Sequence, residues 1–387
     1  MNIIVYTFPF RGHSIQAITI ANYLSKKGHF VTVDANPMYF QYMLPEIEKK
    51  ECLYKFLNFE GNKKENILEC AEGVLVTTQK YAKQFNEKAD LVIFDSMAYW
   101  GKYIAEKNKI PSLSLFTIQP FTSDNFNDYV FDYLKTYTSK FNSSKEFFRN
   151  IHIYEVIAKK KFELANDFLF YDFMCARGNK NIVLIPEAMC KFARDLNASY
   201  KAFSPIIDCT DENFDKKNII YIATGSMISD IKLLTTCIDT LLSMGKEIHV
   251  SSGKHTKTLE ELYEKYNDVY FYEFAPQIDL LKKAAVFITH GGTNSICEAI
   301  AMKTPMVVIP IVNDEFLNAE MVVNSGIGLT IENNLSIIKD KLKEFCEQLL
   351  SDTTYSKNIK AVSKEVDSNK VWKAIDEFLG DINDGKL

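Results

Sequence analysis

Apolar positions along this chain come in short continuous runs, and between them apolar residues recur at helical spacing. Ile3 to Phe8 is one such run, closed by the turn Pro9-Phe10-Arg11-Gly12-His13. A short apolar run bounded by turn residues predicts a strand buried on both faces. From Ser14 to Lys27, Ile15, Ile18, Ala21, Asn22 and Leu24 fall near one face of a helix, which Gly28 stops. Phe30 to Val33 reads as the next strand, and Asp90 to Asp95 as another, followed by a helix over Met97 to Lys107. Pro111 to Phe116, Ile182 to Pro186 and Ala202 to Pro205 continue the series. Strands that alternate with helices imply a parallel sheet.

Between Asp208 and Asn218 the text turns polar and acidic and loses its apolar period, which marks a linker over residues 208–218. The pattern restarts at Ile219-Ile220-Tyr221-Ile222-Ala223 and turns at Thr224-Gly225-Ser226. It runs on through Ile248 to Val250, Val269 to Tyr272 and Val286 to Thr289. Val371 to Leu379 reads as an amphipathic helix near the end. The expected division is a first α/β domain over 1–207, a second over 219–365, and a terminal helical segment over 366–387.

Composition narrows the classes. A chain of 387 residues with 47% hydrophobic content suits two packed cores. A net charge of −5 argues against a surface for nucleic acid or anionic lipid. Met1 to Tyr6 reads as a first strand rather than a leader, and no apolar run reaches transmembrane length. The eight cysteines have no paired spacing, which favours reduced thiols and a soluble cytoplasmic protein. No metal-binding cluster stands out.

Residues 116–175 are crowded with rings, among them Phe116, Phe121, Phe126, Tyr129, Phe131, Phe147, Phe162, Phe170 and Tyr171. Each ring suits the core of an amphipathic helix. As a group they also suit an apolar pocket for a small molecule, for which Phe116, Phe121 and Phe126 are the candidates.

The most informative stretch is Thr289-His290-Gly291-Gly292-Thr293-Asn294-Ser295, with Glu298 a turn further on. It joins a strand to a helix through glycines. Such a turn aims backbone N–H groups and the positive helix end at one point, which suits a phosphate or diphosphate. Gly291 and Gly292 would admit the anion, Asn294 and Ser295 can cap the helix, and His290 adds a donor. A capped turn without a ligand is the alternative reading.

The flanks decide between them. Upstream stands Phe274-Ala275-Pro276-Gln277; downstream stand Pro305 to Pro310 and Asp314-Glu315-Phe316-Leu317-Asn318-Ala319. Together these residues resemble the nucleotide-sugar box of the family 1 glycosyltransferases, most closely the bacterial macrolide and flavonoid enzymes. From His290 to Asp314-Glu315 the match has no gap. The resemblance implies an α/β, GT-B fold, with two Rossmann-like domains whose parallel sheets face across a cleft. The first would bind the acceptor and the second the nucleotide sugar, with the last helix crossing back onto the first. It implies a monomer that needs neither cofactor nor metal.

Sugar transfer needs a base, and His13 is the candidate. It follows the first strand, at the end of the sheet where open α/β folds place ligands. A lone histidine there often only caps or packs. The pattern Gly12-His13 through Lys27-Gly28-His29, however, matches the family's catalytic loop. Asp95 ends a predicted strand at the same sheet end and falls where the family has the orienting aspartate; capping the next helix would be compatible with that role.

For the donor, the resemblance carries over position by position. Phe274 stands where the family has an aromatic near the uracil, often Trp, and Gln277 matches a nucleoside contact. Thr224, Gly225 and Ser226 match the loop beneath the phosphates. His290, Gly292, Thr293, Asn294 and Ser295 match the diphosphate cradle, and Glu298 matches the ribose carboxylate. Asp314 and Glu315 occupy the family's Asp-Gln pair for sugar hydroxyls. Glu315 departs from it, because a carboxylate accepts where glutamine can also donate. Lys303 replaces a usual glycine.

The implied activity is inverting transfer of a hexose, glucose favoured, from a UDP-sugar to a hydroxyl of a small lipophilic acceptor such as a macrolide, polyketide or phenol. TDP-deoxysugar transfer is the runner-up. A UDP-sugar epimerase and a lipid-linked transferase are other readings of the same architecture, as is an inactive accessory protein. The His13 and Asp95 pair speaks against the epimerase, and His13 against the inactive protein. The lack of a basic amphipathic surface helix speaks against the lipid-linked enzyme.

Overall fold

The computed structural model describes residues 1–54, 67–122, 125–126, 141–165, 168–207, 219–225 and 230–386. The expected linker at 208–218, Ser226, Cys209 and the aromatic residues Tyr129 and Phe131 lie outside the described residues. The chain divides into two compact units. One comprises 1–185, 192–206 and 368–387; the other comprises 186–191 and 207–367.

The first unit is built on a seven-stranded sheet, and every pairing in it is parallel. Its strands are β1 (Asn2–Tyr6), β2 (Phe30–Ala35), β3 (Glu48–Glu51), β4 (Leu91–Asp95), β5 (Ser112–Phe116), β6 (Lys180–Val183) and β7 (Tyr200–Lys201). They lie in the order β3-β2-β1-β4-β5-β6-β7. The order reverses between β1 and β4, so the loops leaving those two strands part to opposite sides and open a crevice. Val5, Ile93, Leu113 and Ile182 pack beneath the helix Arg11–Lys26 through Ala17 and Leu24. The helix Ser368–Asn383 closes the same core with Val371, Ile375 and Phe378. Trp372 stacks on Tyr23 at 4.3 Å, and Asp376 accepts from the Tyr23 hydroxyl at 2.9 Å.

The second unit holds a six-stranded parallel sheet in the order β10-β9-β8-β11-β12-β13. These strands are β8 (Ile219–Ala223), β9 (Glu247–Ser251), β10 (Val269–Tyr272), β11 (Ala284–Thr289), β12 (Met306–Val308) and β13 (Gly328–Thr330). Side chains alternate across it as strand geometry requires. Ile220, Ile222, Val286 and Ile288 face one core, while Tyr221, Ala223 and Phe287 face another. The order reverses between β8 and β11, which again sets two loops side by side.

Three local readings change. The first helix, Arg11–Lys26, begins three residues before the expected Ser14, which puts His13 in its first turn. Ser14 resembles an N-cap, but its hydroxyl is buried and donates to the Phe8 carbonyl at 2.9 Å. Strand β3 has no apolar signal, because Glu48-Lys49-Lys50-Glu51 pairs at the sheet edge beside β2. Ala202 and Phe203 do not extend a strand; both have positive φ (78° and 28°), and the last strand ends at Lys201. Among the described residues no helix is long and apolar enough to cross a membrane. The described cysteines are free thiols.

Candidate functional site

In the first unit a polar cluster gathers at the carboxyl end of the sheet. β4 ends on Asp95, whose carboxylate is 0% exposed. Its Oδ1 accepts the Met97 N–H at 2.9 Å, and its Oδ2 lies 2.9 Å from Nδ1 of His13. Thr117, just beyond β5, completes the group. Its Oγ1 donates to Asp95 Oδ2 at 2.9 Å and stands 2.8 Å from His13 Nδ1. An ionised carboxylate only accepts, so this arrangement calls for the proton on Nδ1 and leaves the basic lone pair on Nε2. The His13 side chain is 12% exposed. The Phe8 ring meets it edge-on at 5.5 Å, and the Phe10 ring lies 6.2 Å away. The sequence had pointed to His13 and Asp95. It had not pointed to Thr117, Phe8 or Phe10.

The three phenylalanines proposed for an acceptor pocket are all buried. Phe116 is a strand residue against Tyr200, at 5.4 Å. Phe121 contacts Phe192 at 5.5 Å, and Phe126 contacts Tyr171 at 5.7 Å. In the described structure these rings act as core.

In the second unit the predicted donor residues among the described ones lie after β8, β11 and β12, with Phe274 and Gln277 after β10. His290 opens the loop after β11, and its ring occupies the space beside Gly225 and Gly292. A Cβ on Gly292 would stand 2.7 Å from its Nε2. Gly291 has φ +95°, and a Cβ there would meet Val308 at 2.7 Å. These glycines therefore make room for the protein's own side chains as well as for any anion. Burial holds the His290 imidazole below its ordinary pKa, with the Ala223 carbonyl and Asp314 acting weakly the other way. Its Nδ1 is buried, with no hydrogen bond of ordinary geometry among the described residues.

The helix Thr293–Ala301 starts from Gly292, and among the described residues no side chain caps it. Asn294 and Ser295 thus do not cap as expected: both lie inside the first turn, and Ser295 Oγ instead accepts from Gln277 at 3.1 Å. The first-turn N–H groups have no intrahelical partners. Gln277 also donates to Glu298 at 2.5 Å and accepts from the Tyr221 hydroxyl at 3.1 Å, which fixes the carboxylate beside the helix. Phe274 is 86% exposed, a ring held in solvent after β10. Thr224 is buried at the end of β8.

Asp314 Oδ2 accepts from Thr293 at 3.1 Å and from Asn318 at 3.3 Å. Asn318, quoted in the sequence without a role, is buried and also donates to the Gly291 carbonyl at 3.0 Å. Glu315 turns inward. Its Oε2 accepts the N–H groups of Ile311 and Val312 at 2.7 and 2.8 Å. Among the described residues no three His, Cys, Asp or Glu side chains converge to hold a metal.

Comparison with known proteins agrees with this geometry. A family model described as UDP-glucoronosyl and UDP-glucosyl transferase matches residues 121–377. The uncharacterized UDP-glucosyltransferase YojK of Bacillus subtilis (strain 168) is 25% identical over 94% of this chain and 93% of its own. The glycotransferase of kitacinnamycin shares the fold with a TM-score of 0.78 at 20% identity, over 98% of this chain and 99% of that one. CalG4, the calicheamicin glycosyltransferase, does so with a TM-score of 0.79 at 17% identity, over 98% of both chains. Two parallel Rossmann-like sheets and a match over most of the chain show a GT-B enzyme: this protein belongs to the UDP-glucoronosyl and UDP-glucosyl transferase family of glycosyltransferases.

Proposed function

We propose that this glycosyltransferase moves a hexose, glucose in the first instance, from a UDP-sugar to a hydroxyl of a small lipophilic acceptor, with inversion and with His13 as the base. The observation that carries this reading is the 2.9 Å contact between His13 Nδ1 and the fully buried Asp95. A histidine in the first turn of a helix needs no buried carboxylate to pack. A histidine that takes a proton does, because the carboxylate selects the tautomer and stabilises the imidazolium.

The two units would supply different parts of the reaction. In the first, His13 Nε2 removes the acceptor's proton as its oxygen attacks the anomeric carbon. The half-buried ring of Phe10 gives that position an apolar wall, with the buried Phe8 behind it, which suits a polyketide, macrolide or phenolic acceptor. In the second, the open helix start at Thr293 and the His290 side chain stabilise the departing diphosphate, the work a divalent ion does in other transferases. Phe274 offers an exposed face for the base, and Glu298 accepts from the ribose hydroxyls. The names of its relatives support the class of donor; the acceptor class rests on the apolar surroundings of His13.

Calorimetric titration with UDP, TDP and GDP, in the presence of EDTA, tests this reading. UDP should bind selectively, and His290→Ala should weaken it tenfold or more. Preference for TDP would turn the reading towards deoxysugar transfer. No binding of any diphosphate would overturn the donor site, and unchanged turnover in His13→Ala would overturn the base.

A further inference from the structure

Thr117 sits where sheet register, not local sequence, puts it. β4 and β5 pair so that Asp95 stands opposite Leu115, and the chain leaving β5 two residues later passes beside the end of β4. Thr117 is 3% exposed. Its hydroxyl makes two hydrogen bonds among the described residues, to Asp95 Oδ2 at 2.9 Å and with His13 Nδ1 at 2.8 Å. With the 2.9 Å contact between Asp95 and His13, the three groups form a closed triangle.

We infer that Thr117 is a positioning residue for the base, holding Asp95 and the His13 ring in one register so that Nδ1 keeps its proton and Nε2 keeps its lone pair. The inference rests on the reading of His13 as base. Its physical basis is the donor and acceptor balance of the triangle. A hydroxyl donates once and accepts twice, so Thr117 can give its proton to Asp95 and share in the proton of Nδ1. Asp95 Oδ2 then has two donors while its carboxylate is sealed from solvent, and Nδ1 of the ring is held by two partners. Threonine suits the place because a β-branched side chain has few χ1 choices, so the hydroxyl is oriented before any substrate arrives. A hydroxyl serving only the loop would bond backbone; this one bonds the two members of the pair.

The test compares wild type, Thr117→Val, Thr117→Ser and His13→Gln, all as full-length protein with matched melting temperatures. Imidazole nitrogens are followed by NMR across pH on histidine-labelled protein, with His13 assigned from its loss in His13→Gln. Turnover is followed with UDP-glucose and 4-methylumbelliferone. Thr117→Val should move the His13 titration midpoint by half a pH unit or more and mix its tautomers. It should also lower kcat tenfold or more, with both KM values within threefold. Thr117→Ser should restore wild-type behaviour. An unmoved His13 titration in Thr117→Val overturns the inference. So does a Thr117→Ser protein that behaves like Thr117→Val, because it keeps the hydroxyl to which the effect is assigned. Full turnover in His13→Gln overturns the base reading instead, while the NMR comparison still reads whether Thr117 holds the ring.

Discussion

Oε1 of Glu315 lies 3.8 Å from Nε2 of His290, and the two side chains are 10% and 17% exposed. The other oxygen, Oε2, is occupied by the N–H groups of Ile311 and Val312. A proton on Glu315 therefore belongs on Oε1, facing the histidine. Burial pushes the Glu315 pKa up to about 8 and the His290 pKa down, so both groups favour their neutral forms near neutral pH.

The raised carboxyl pKa makes stability depend on pH in a definite direction. Its ordinary value is 4.5, so between there and about 8 the folded state holds a proton that the unfolded state has released. That contribution is complete below pH 4.5 and is lost as pH rises through about 8. Glu315→Gln keeps an acceptor for the loop N–H groups but cannot titrate. Denaturant unfolding from pH 5 to 8 should show wild type losing stability relative to this variant, by up to about 1.4 kcal/mol per pH unit. Parallel curves for the two proteins would refute the assignment.

Asp95→Asn tests the orienting role without removing the side chain. The amide oxygen can still accept the Met97 N–H, so the melting temperature should change little. The His13 ring loses its anionic partner, and kcat should fall by about 10²–10⁴-fold. Steady-state kinetics beside a melting curve separate these effects. Loss of fold in step with activity would argue for a purely structural aspartate.

Gly292→Ala should weaken nucleotide binding through His290. The added Cβ would stand 2.7 Å from His290 Nε2 and displace the ring. A UDP affinity lowered about tenfold, a loss near 1.4 kcal/mol, is expected from calorimetry. Wild-type affinity would mean that His290 does not form the cradle.

The backbone at Lys303 explains why glycine is usual at this position; nothing in the structure explains the lysine itself. It has φ +56°, just past the helix Thr293–Ala301, where its N–H bonds to the Ile300 carbonyl at 3.0 Å. Glycine enters this left-handed conformation without the Cβ penalty. Lys303→Gly should stabilise the protein by up to about 1 kcal/mol, read from the urea midpoint. A destabilised variant would show that the lysine side chain makes a stronger contribution than its backbone strain costs.

Ile375→Ala should cost about 2–4 kcal/mol. The side chain is buried in the core that the terminal helix shares with the first sheet, and a cavity there cannot fill with solvent at no cost. Unfolding of the first unit, followed by its tryptophan fluorescence, measures the loss; a change below 1 kcal/mol would place that helix outside the cooperative core.

Much of this protein could be read from the text of the chain alone. Buried parallel strands announce themselves locally, because a run such as Ile219 to Ala223 must face apolar neighbours on both sides whatever its partners are. The strand, glycine turn and helix around His290 were legible for the same reason: a sharp turn and a helix start depend on residues within one short segment. His13 and Asp95 could be proposed because each ends a recognisable element.

Tertiary structure decided the rest. Thr117 is 104 residues from His13, and only the order β1-β4-β5 brings its hydroxyl to the pair. Strand β3 is hidden because an edge strand of charged residues has no apolar pattern, and its pairing is visible only from β2. Phe116, Phe121 and Phe126 look alike as candidates for a pocket or a core, and only packing places them in the core. Glu315 invites comparison with a sugar-binding glutamine until the loop at Ile311 and Val312 takes up one of its oxygens. Periodicity reports how one element divides its faces between core and solvent, a property of neighbours in sequence. Which polar atoms meet, and which rings are sealed from water, depends on strand order and register, and those are properties of the folded chain as a whole.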